Sequence, residues 1–365
     1  MRISRIIRSI LLACLPVPPQ ALAQFQPALP GYHYAFPRDF FAHPGYQTEW
    51  WYYTGNLQTA EGHKFGFELT FFRQGVTREP GVASSWALRD IYVAHFAVSD
   101  LEQKQFLHAE RTNRAGPGLA GASESSREVW NGNWKVVWSE GGEQLTAVAG
   151  SFAISLSLQP QKPPVIHGEH GVSQKSAGAG RASHYFSETR LAAVGSLSLR
   201  SRQHAVAGLA WMDHEFFTHQ LESDQAGWDW ISLQLNDHTE LMLFHLRKKD
   251  GTIDRFSAGT FVDAQGRATH LRAEDFFLEP AGETWMSPAS HASYPVHWKI
   301  RVPDLGLVLD VMTPLPSQEI TEDSRTLPSY WEGAVFLRGT RRSTPIAGSG
   351  YLEMTGYDRP VAFEP

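Results

Sequence analysis

The chain has 365 residues, and its 32 Lys and Arg against 38 Asp and Glu give a formal net charge of −6. This mild acidity offers no basic face of the kind on which nucleic-acid-binding proteins depend, so no nucleic-acid partner is expected. The hydrophobic fraction of 42% allows a sizeable core and argues against disorder. The single Cys excludes an intrachain disulfide and disfavours a Cys-based zinc site.

The first residues have the pattern of a secretory signal peptide. Three Arg residues precede a short apolar run over residues 9–17, and an Ala-Leu-Ala cleavage site ends at Ala23. Cleavage there would export a chain of 365 − 23 = 342 residues to the periplasm or beyond. The alternative is a lipoprotein anchored through Cys14, although few apolar residues would then precede the cut. No later segment approaches the ~20 apolar residues of a membrane-spanning helix.

Alternation of apolar and polar residues dominates the chain after residue 45 and predicts strands. Residues 65–71, 152–158 and 305–309 each place an apolar side chain at every second position. This is the period of a strand with one buried face. No long stretch has a convincing helical period, and the 31 Gly and 22 Pro residues suit tight turns. The sequence therefore predicts an all-β protein.

Two halves of the chain carry similar landmarks in the same order, which indicates an internal duplication. The paired landmarks are Trp50 with Trp228, Trp134 with Trp298, Leu156 with Leu309, residues 183–188 with 329–332, and residues 208–213 with 348–353. We predict two antiparallel β-barrel domains, residues 24–220 and 221–365, because closure removes exposed sheet edges. The alternative is that both halves merely use residues that are common in strands.

Two turn-rich segments, residues 116–127 and 160–181, interrupt the first half of the chain. Both have little apolar content, and we expect them to be long surface loops. Such loops are either tolerated insertions or the lid and rim of a cavity.

The densest group of ionisable residues is Asp213-His214-Glu215, which interrupts an aromatic strand. A buried carboxylate needs a partner or a path to water. Because side chains alternate along a strand, Asp213 and Glu215 face one way and His214 the other. Asp213 corresponds to Glu353 in the duplication, but His214 has no ionisable counterpart, so we expect an acid–base role to belong to the first copy. The structural alternative is that Asp213 bonds across the seam between the two domains.

Glu49 and His95 are the next candidates. Glu49 precedes the aromatic run 50–53, and burial there would raise its pKa into the range of a general acid. The alternative for Glu49 is a strand-start residue at the surface. His95 lies in the apolar run 91–98, where a single His is more often structural than catalytic. Zincin, α/β-hydrolase, P-loop and Rossmann signatures do not occur, and the His spacing predicts no metal site.

The order of these motifs resembles the carotenoid 1,2-hydratase and AttH-like family. The resemblance extends from about residue 30 to 358 and is carried by residues 43–55, 67–73, 211–215, 227–230, 330–333 and 350–357. It implies two lipocalin-like β-barrels packed together. It also implies reactions on long apolar polyenes without metal or nucleotide cofactors. Hydratases of this kind add water across a terminal isoprenoid double bond, and related two-barrel proteins act as cyclases.

The chemistry that the resemblance implies needs an acid in an aromatic pocket. Asp213 or Glu49 would protonate the alkene, and His214 or a carboxylate would accept the proton of the attacking water. Indole rings would stabilise the carbocation. The residues expected to contact the ligand are Trp50, Trp51, His95, Trp211, Trp228, Trp230 and Trp331.

The sequence departs from the hydratases at two positions. Phe216 stands where they have a Trp, and residues 241–247 lack their Tyr/Asp pair, for which His245 is the substitute candidate. The chain is therefore more similar to the broad AttH-like group of secreted proteins.

Two functional classes stay open, namely a cofactor-free hydratase or cyclase and a carrier of a lipid-like ligand. A secreted hydrolase is a third class. The expected partner is an apolar small molecule, and peripheral association with a membrane is left open. Polar residues in an apolar cavity would favour the enzyme, and an entirely apolar cavity would favour the carrier.

Overall fold

The computed structural model describes residues 25–78, 84, 87–219, 221–321 and 329–361. The predicted signal peptide and Cys14 lie outside these residues. Apart from two 3-10 helices, Arg38–Phe40 and Pro303–Leu305, the regular elements of the described residues are all β-strands. No helix in the described ranges is long and apolar enough to cross a membrane. The all-β prediction is confirmed.

Among the described residues, the first sheet has thirteen strands. They are β1 (Thr48–Gln58), β2 (Lys64–Gly75), β3 (Asp90–Asp100), β4 (Gln105–Arg114), β5 (Ala120–Ser123), β6 (Glu128–Asn131), β7 (Trp134–Ser139), β8 (Gly142–Ala149), β9 (Phe152–Pro160), β10 (Val165–Ile166), β11 (Ser173–Gln174), β12 (Ala182–Leu199) and β13 (Arg202–Phe217). The order is β4-β3-β2-β1-β13-β12-β9-β8-β7-β6-β5, and β10 and β11 pair with β12. The sheet curls until its ends meet, where Asn131 Nδ2 donates to the carbonyl oxygens of Tyr92 and Arg111.

The second half of the chain forms a second sheet of the same kind. Its strands are β14 (Gln225–Leu235), β15 (Glu240–Lys248), β16 (Ala258–Val262), β17 (Ala268–Arg272), β18 (Phe277–Pro280), β21 (His297–Val302), β22 (Leu307–Met312), β23 (Glu319–Ile320), β24 (Tyr330–Arg341) and β25 (Thr344–Met354), and β19 (Thr284–Met286) and β20 (Ser293–Pro295) form a separate hairpin. The order is β17-β16-β15-β14-β25-β24-β22-β21-β18, and β23 pairs with β24. The molecule therefore consists of two curled, barrel-like antiparallel sheets, as predicted.

The two sheets share their strand order around β1 and β14. β1 lies between β2 and β13, and β14 lies between β15 and β25. Tyr52 is opposite Asp213 in the first sheet, and Trp230 is opposite Glu353 in the second. If Trp50 is matched with Trp228, the register makes Asp213 and Glu353 equivalent positions.

One predicted landmark pair does not occupy equivalent strands. Trp134 lies on β7, whereas Trp298 lies on β21, whose counterpart in the sheet order is β8. In both cases a Lys follows the Trp within a short alternating run, and this shared local pattern caused the incorrect match between the two halves. The strands change sheet between Phe217 and Gln225. The domain boundary at residue 220 stays a prediction.

The segment 160–181 differs from the predicted surface loop. It contains β10 and β11, and His167 and Lys175 are only 1% and 4% exposed. Lys162 Nζ crosses to the second sheet and bonds Glu240 Oε2 at 2.6 Å. The other predicted loop, residues 116–127, contains β5. Segment 160–181 therefore belongs to the first sheet through β10 and β11 and also contacts the second sheet.

Strand alternation decides what faces the space between the sheets. Trp51 and Tyr53 point into the core of the first barrel, so Trp50 and Tyr52 point outwards from it, toward the second sheet. A separate buried cluster fills the contact between the sheets and includes Tyr52, Tyr185, Trp211, Trp230, Phe244 and Tyr351. The outer faces of β1, β13, β14 and β25 thereby form the site described next.

A candidate active site between the two sheets

A cavity lies between the two sheets, outside both barrel interiors. Its empty volume is about 1010 Å³, including the mouth that opens to solvent. The apolar part of its wall comes from both sheets and includes Trp50, Phe72, Trp228, Trp230, Phe244 and Leu246. A concave, largely apolar site with a few polar groups is the usual form of a small-molecule binding site. We call this space the seam cavity.

Asp213 lines the seam cavity from β13. Its Oδ2 accepts a hydrogen bond from the Tyr185 hydroxyl at 2.8 Å. Its Oδ1 accepts bonds from Trp211 Nε1, at 2.6 Å, and from the Ser187 hydroxyl. Burial raises the pKa of Asp213 to about 7, although the three donors favour the ionised form and limit the rise. A carboxyl with a pKa near neutrality can give or take a proton, which suits general acid–base chemistry.

A buried relay of hydroxyl and imidazole groups lies behind Asp213. His167 Nε2 is 2.6 Å from Ser187 Oγ, and His167 Nδ1 is 2.8 Å from Thr260 Oγ1 of the second sheet. Burial, with a smaller contribution from Lys175, lowers the pKa of His167 to about 3, so the imidazole is neutral near pH 7. The sequence analysis missed His167, because its segment has no strand period that would predict burial.

An ion pair forms the side of the seam cavity next to Tyr185. Lys175 Nζ lies 3.2 Å from Glu215 Oε1, and the Ser183 hydroxyl donates to the same oxygen. The ammonium group also lies 4.1 Å from the centre of the Phe244 ring, within the range of a cation–π contact. Because the two charges compensate each other, this pair adds little net charge to the cavity.

The second sheet contributes two further carboxyl groups to the seam cavity, Glu332 and Glu353. The Tyr52 hydroxyl donates to Glu332 Oε1, and Trp228 Nε1 donates to Glu353 Oε2 at 3.0 Å. Burial, reinforced by the charge of Glu353, raises the pKa of Glu332 well above its ordinary value. Burial, reinforced by Asp213 and other carboxylates, raises the pKa of Glu353 to about 8. Neither residue was among the predicted site residues, although Glu353 was recognised as the counterpart of Asp213.

Several predicted ligand contacts do line the seam cavity. They are Trp50, His95, Trp228 and Trp230. His95 is fully buried, and its Nδ1 is 2.6 Å from the hydroxyl oxygen of Tyr330. Trp211 contributes indirectly, because its indole N–H bonds to Asp213.

Glu49 and His214 are fully buried and belong to a different cluster, on the inner face of the first sheet. Glu49 Oε1 is 2.8 Å from His214 Nε2 and 2.7 Å from His43 Nδ1. Glu49 Oε2 accepts a bond from Arg73 Nε at 2.8 Å. Burial alone would raise the pKa of Glu49, but Arg73 and the two imidazoles outweigh it and lower the pKa well below its ordinary value. The expected raised pKa is therefore wrong for Glu49, and its carboxylate is no proton donor.

The family model of AttH-like proteins matches residues 27–357. The chain belongs to the AttH-like family. The crystal structure of an AttH-type protein from Nitrosomonas europaea is 33% identical, with a TM-score of 0.82, and the match covers 91% of this chain and 100% of that one. Kievitone hydratase from Nectria haematococca is 14% identical, with a TM-score of 0.66 and coverage of 91% and 98%.

A third solved structure shares the architecture of this AttH-like chain. CghA in complex with Sch210972 is 12% identical, with a TM-score of 0.50 and coverage of 92% of this chain and 97% of that one. At these identities the likeness to CghA and kievitone hydratase concerns the fold, which is hydratase-like. A comparison with curated proteins found no match.

Within the described part of this AttH-like chain, one group of side chains is close enough to share a metal ion. The ligand atoms of His43, Glu49 and His214 all lie within 4.8 Å of one another. Arg73 is already paired with Glu49, and its cationic guanidinium would oppose a metal ion at the same carboxylate. We therefore interpret this group as a structural cluster of charged and polar side chains that stabilises the first barrel, and we call it the inner cluster.

The remaining predicted residues face the barrel interiors of the AttH-like fold. Trp51 packs in the first core and donates to the carbonyl of Phe40 at 2.9 Å. Trp331 packs in the second core and donates to the carbonyl of Pro316. His245, the substitute candidate, stacks on Phe276 on the side of β15 away from the seam cavity. Each lies one residue from a cavity-facing position, and strand alternation turns it away.

Proposed function

We propose that this AttH-like protein binds a long apolar, unsaturated ligand in the seam cavity and hydrates or cyclises it by acid–base chemistry of its own side chains. An isoprenoid, a polyene or a related lipid-like molecule fits the aromatic wall. The observation that carries the proposal is Asp213, a buried carboxyl among aromatic rings whose pKa is raised to about 7. Such a group handles protons near neutral pH inside an apolar site.

Hydration of an isolated alkene needs a proton donor, a stabilised cation and a proton acceptor. A carboxylic acid gives its proton to one alkene carbon, a C–H bond forms, and the neighbouring carbon becomes a carbocation. The faces of Trp50, Trp228 and Trp230 favour positive charge in the cavity. Water then attacks the cation and loses its proton to a carboxylate. In a cyclisation, a second double bond of the ligand attacks in place of water.

The polar lining supports an enzyme over a carrier. A carrier of an apolar ligand has no need of buried carboxyls, since each one costs free energy of desolvation. Asp213, Glu332 and Glu353 nevertheless all line the seam cavity. Kievitone hydratase, whose name describes a hydratase, has the same fold at low identity, and this supports the proposal only as an analogy.

A hydrolase is less well supported. Ser187 lies between His167 and Asp213, so the carboxylate contacts the hydroxyl and not the imidazole. In a Ser-His-Asp triad the carboxylate instead orients the His. Ser187 is also 0% exposed and is not part of the cavity wall.

The test uses the purified protein with a series of isoprenoid alkenes and polyenes in ¹⁸O-labelled water. We expect mass spectrometry to detect an alcohol that carries one ¹⁸O, or a cyclised isomer of unchanged mass. Asp213→Asn should reduce the rate about 10²–10⁴-fold, the usual contribution of an acid–base group. Binding of the apolar dye Nile red should persist in this variant.

Glu143→Gln is the matched control, because Glu143 is a buried carboxyl inside the first barrel with a raised pKa and does not line the cavity. Its turnover and dye binding should equal those of the wild type. Dye binding without turnover of any alkene would identify a carrier. A lowered melting temperature of Asp213→Asn with unchanged turnover would identify Asp213 as a structural residue of the first sheet, because all three of its hydrogen-bond donors belong to that sheet and not, as the alternative expected, to the second.

We also propose that the protein is exported, on the basis of the sequence up to Ala23. Intact-mass measurement of protein from the native cell envelope would distinguish cleavage after Ala23 from a lipid adduct on Cys14. A chain that still begins at Met1 would contradict both cleavage after Ala23 and anchoring through Cys14.

A further inference from the structure

Asp213 and Glu353 occupy equivalent positions in the two sheets, and both line the same cavity. Asp213 is opposite Tyr52, and Glu353 is opposite Trp230. The Tyr52 and Trp230 rings are in edge contact, with centroids 5.3 Å apart. Each carboxyl accepts one indole N–H, from Trp211 in the first case and from Trp228 in the second. The duplication thus brings two copies of one carboxyl position to a single cavity.

The two carboxyls differ in the number of donors around them. In the described part of the chain, Asp213 accepts three hydrogen bonds, whereas Glu353 accepts one, at Oε2. Glu353 Oε1 makes no hydrogen bond to the described residues and is left for a ligand or water. Donors stabilise a carboxylate, and a carboxyl with fewer donors keeps its proton longer. Near neutral pH, Asp213 is therefore the carboxyl more often ionised and able to accept a proton, and Glu353 is the one that more often still holds a proton to donate.

The surroundings of Glu353 reinforce this difference. Glu332 lies directly opposite Glu353 on β24, and it also lines the seam cavity. Glu332 Oε2 is buried without a hydrogen-bond partner among the described residues. A cluster of carboxyls that are poorly supplied with donors resists ionisation, since each negative charge opposes the next.

We propose that Glu353 is the proton donor of the seam cavity and that Asp213 is the proton acceptor. This division of roles rests on the proposed function and adds a catalytic residue to it. The Glu353 O–H bond breaks and a C–H bond forms at the alkene, which leaves a carbocation and the Glu353 carboxylate. A water oxygen bonds to the cation, and its released proton goes to the Asp213 carboxylate. Transfer of that proton back to Glu353 restores the starting state, so the net reaction is alkene plus water to alcohol.

The pKa directions agree with this assignment. The pKa is raised to about 7 for Asp213 and to about 8 for Glu353, and the charge of ionised Asp213 contributes to the rise at Glu353. Near neutral pH, Asp213 is therefore the more ionised of the two carboxyls and Glu353 the more protonated. Two carboxyls whose environments separate their titrations in this way form an acid–base pair.

Carboxyl ¹³C NMR of Asp- and Glu-labelled protein tests which group holds the proton, and it needs no substrate. If Asp213 ionises first, Asp213→Asn removes the charge that opposes ionisation of Glu353. The pKa of Glu353 should then fall. Glu353→Gln should leave the pKa of Asp213 almost unchanged, since Glu353 is still neutral when Asp213 titrates. The opposite asymmetry, or no effect of either variant, would overturn the proposal.

Kinetics separates this proposal from the proposed function. With an alkene that the wild type converts, the rate should have a bell-shaped pH dependence with limbs near the two pKa values, about 7 and 8. Glu353→Gln should reduce the rate about 10²–10⁴-fold at the optimum while melting temperature and Nile red binding stay intact. A fully active Glu353→Gln beside an inactive Asp213→Asn would remove Glu353 from the mechanism and leave the proposed function standing. If the wild type converts no alkene, the proposed function fails, and the NMR asymmetry still reports where the proton lies.

Discussion

Glu49 and Asp213 lie on the neighbouring strands β1 and β13, and both are almost completely buried, at 0% and 3% exposure. Their protons nevertheless behave in opposite ways. Glu49 faces the first barrel and meets the cationic Arg73, which keeps it ionised. Asp213 faces the second sheet and meets only neutral donors, so burial raises its pKa. The comparison shows that burial alone does not decide the protonation state of a carboxyl group. An opposite charge beside it makes a structural carboxylate, and neutral donors leave a reactive carboxylic acid.

The largest expected effect comes from removal of the compensating charge. Arg73→Met should lower the free energy of unfolding by about 3–5 kcal/mol, because the buried Glu49 then lacks its cation. Urea denaturation measures this loss. Combination with Glu49→Gln should recover part of it, since no uncompensated charge then remains.

Arg78→Met is the control for this prediction. Arg78 pairs with the same Asp90 as Arg73, but its side chain is 19% exposed against 1% for Arg73, so its loss should cost less stability than the loss of Arg73. Equal losses of unfolding free energy for Arg73→Met and Arg78→Met would mean that the charge of Arg73 does not specifically stabilise the inner cluster.

The second expected effect compares two adjacent Trp residues on opposite faces of β1. Trp51 is completely buried in the first core, so Trp51→Ala should cost about 3–5 kcal/mol of stability. Trp50 lines the seam cavity, so Trp50→Ala should cost less stability and weaken Nile red binding. Denaturation and dye titration of both variants measure the two effects. Loss of dye binding in a folded Trp51→Ala, with Trp50→Ala unaffected, would place the ligand inside the barrel.

The sequence allowed much of the fold to be predicted, because strand alternation and repeated landmarks are local signals. It also placed Asp213 and His214 on opposite faces of one strand. It could not tell which face meets the other sheet, because that depends on the direction in which each sheet curls. The sequence analysis consequently grouped Trp51 with Trp50, although only Trp50 lines the cavity.

The missed residues share a physical cause. The partner of Glu49, Arg73, comes from β2, and the relay residue His167 comes from an irregular segment that crosses to Thr260. Such contacts join positions far apart in the chain, and a single sequence carries no pattern for them. The sequence could have identified Glu353, because the duplication matches it with Asp213. The acid–base role was instead assigned to the first copy on the basis of His214, which faces the barrel interior.

The last expected effect, the pH dependence of stability, sharpens the comparison of Asp213 with Glu49. The ordinary pKa of Asp is about 3.9, and in the folded protein the pKa of Asp213 is raised to about 7. Between these values the folded state binds more protons than the unfolded state. The stability that Asp213 contributes is therefore complete below pH 4 and is lost as the pH rises toward 7, by at most about 1.4 kcal/mol per pH unit. Asp213→Asn should remove this slope, so its stability relative to the wild type should increase from pH 5 to pH 7.

Glu49 should act with the opposite sign. Its pKa is lowered in the folded protein, so its contribution is present above the ordinary Glu pKa of about 4.3 and is lost as the pH falls below it. Glu49→Gln should therefore change the slope only in acid, where Asp213→Asn changes nothing. Urea denaturation midpoints at half-unit intervals from pH 3 to pH 8 measure both slopes. Parallel pH profiles of stability for the two variants would mean that Glu49 and Asp213 titrate in the same pH range. The distinction between a structural carboxylate and a reactive carboxylic acid would then be wrong.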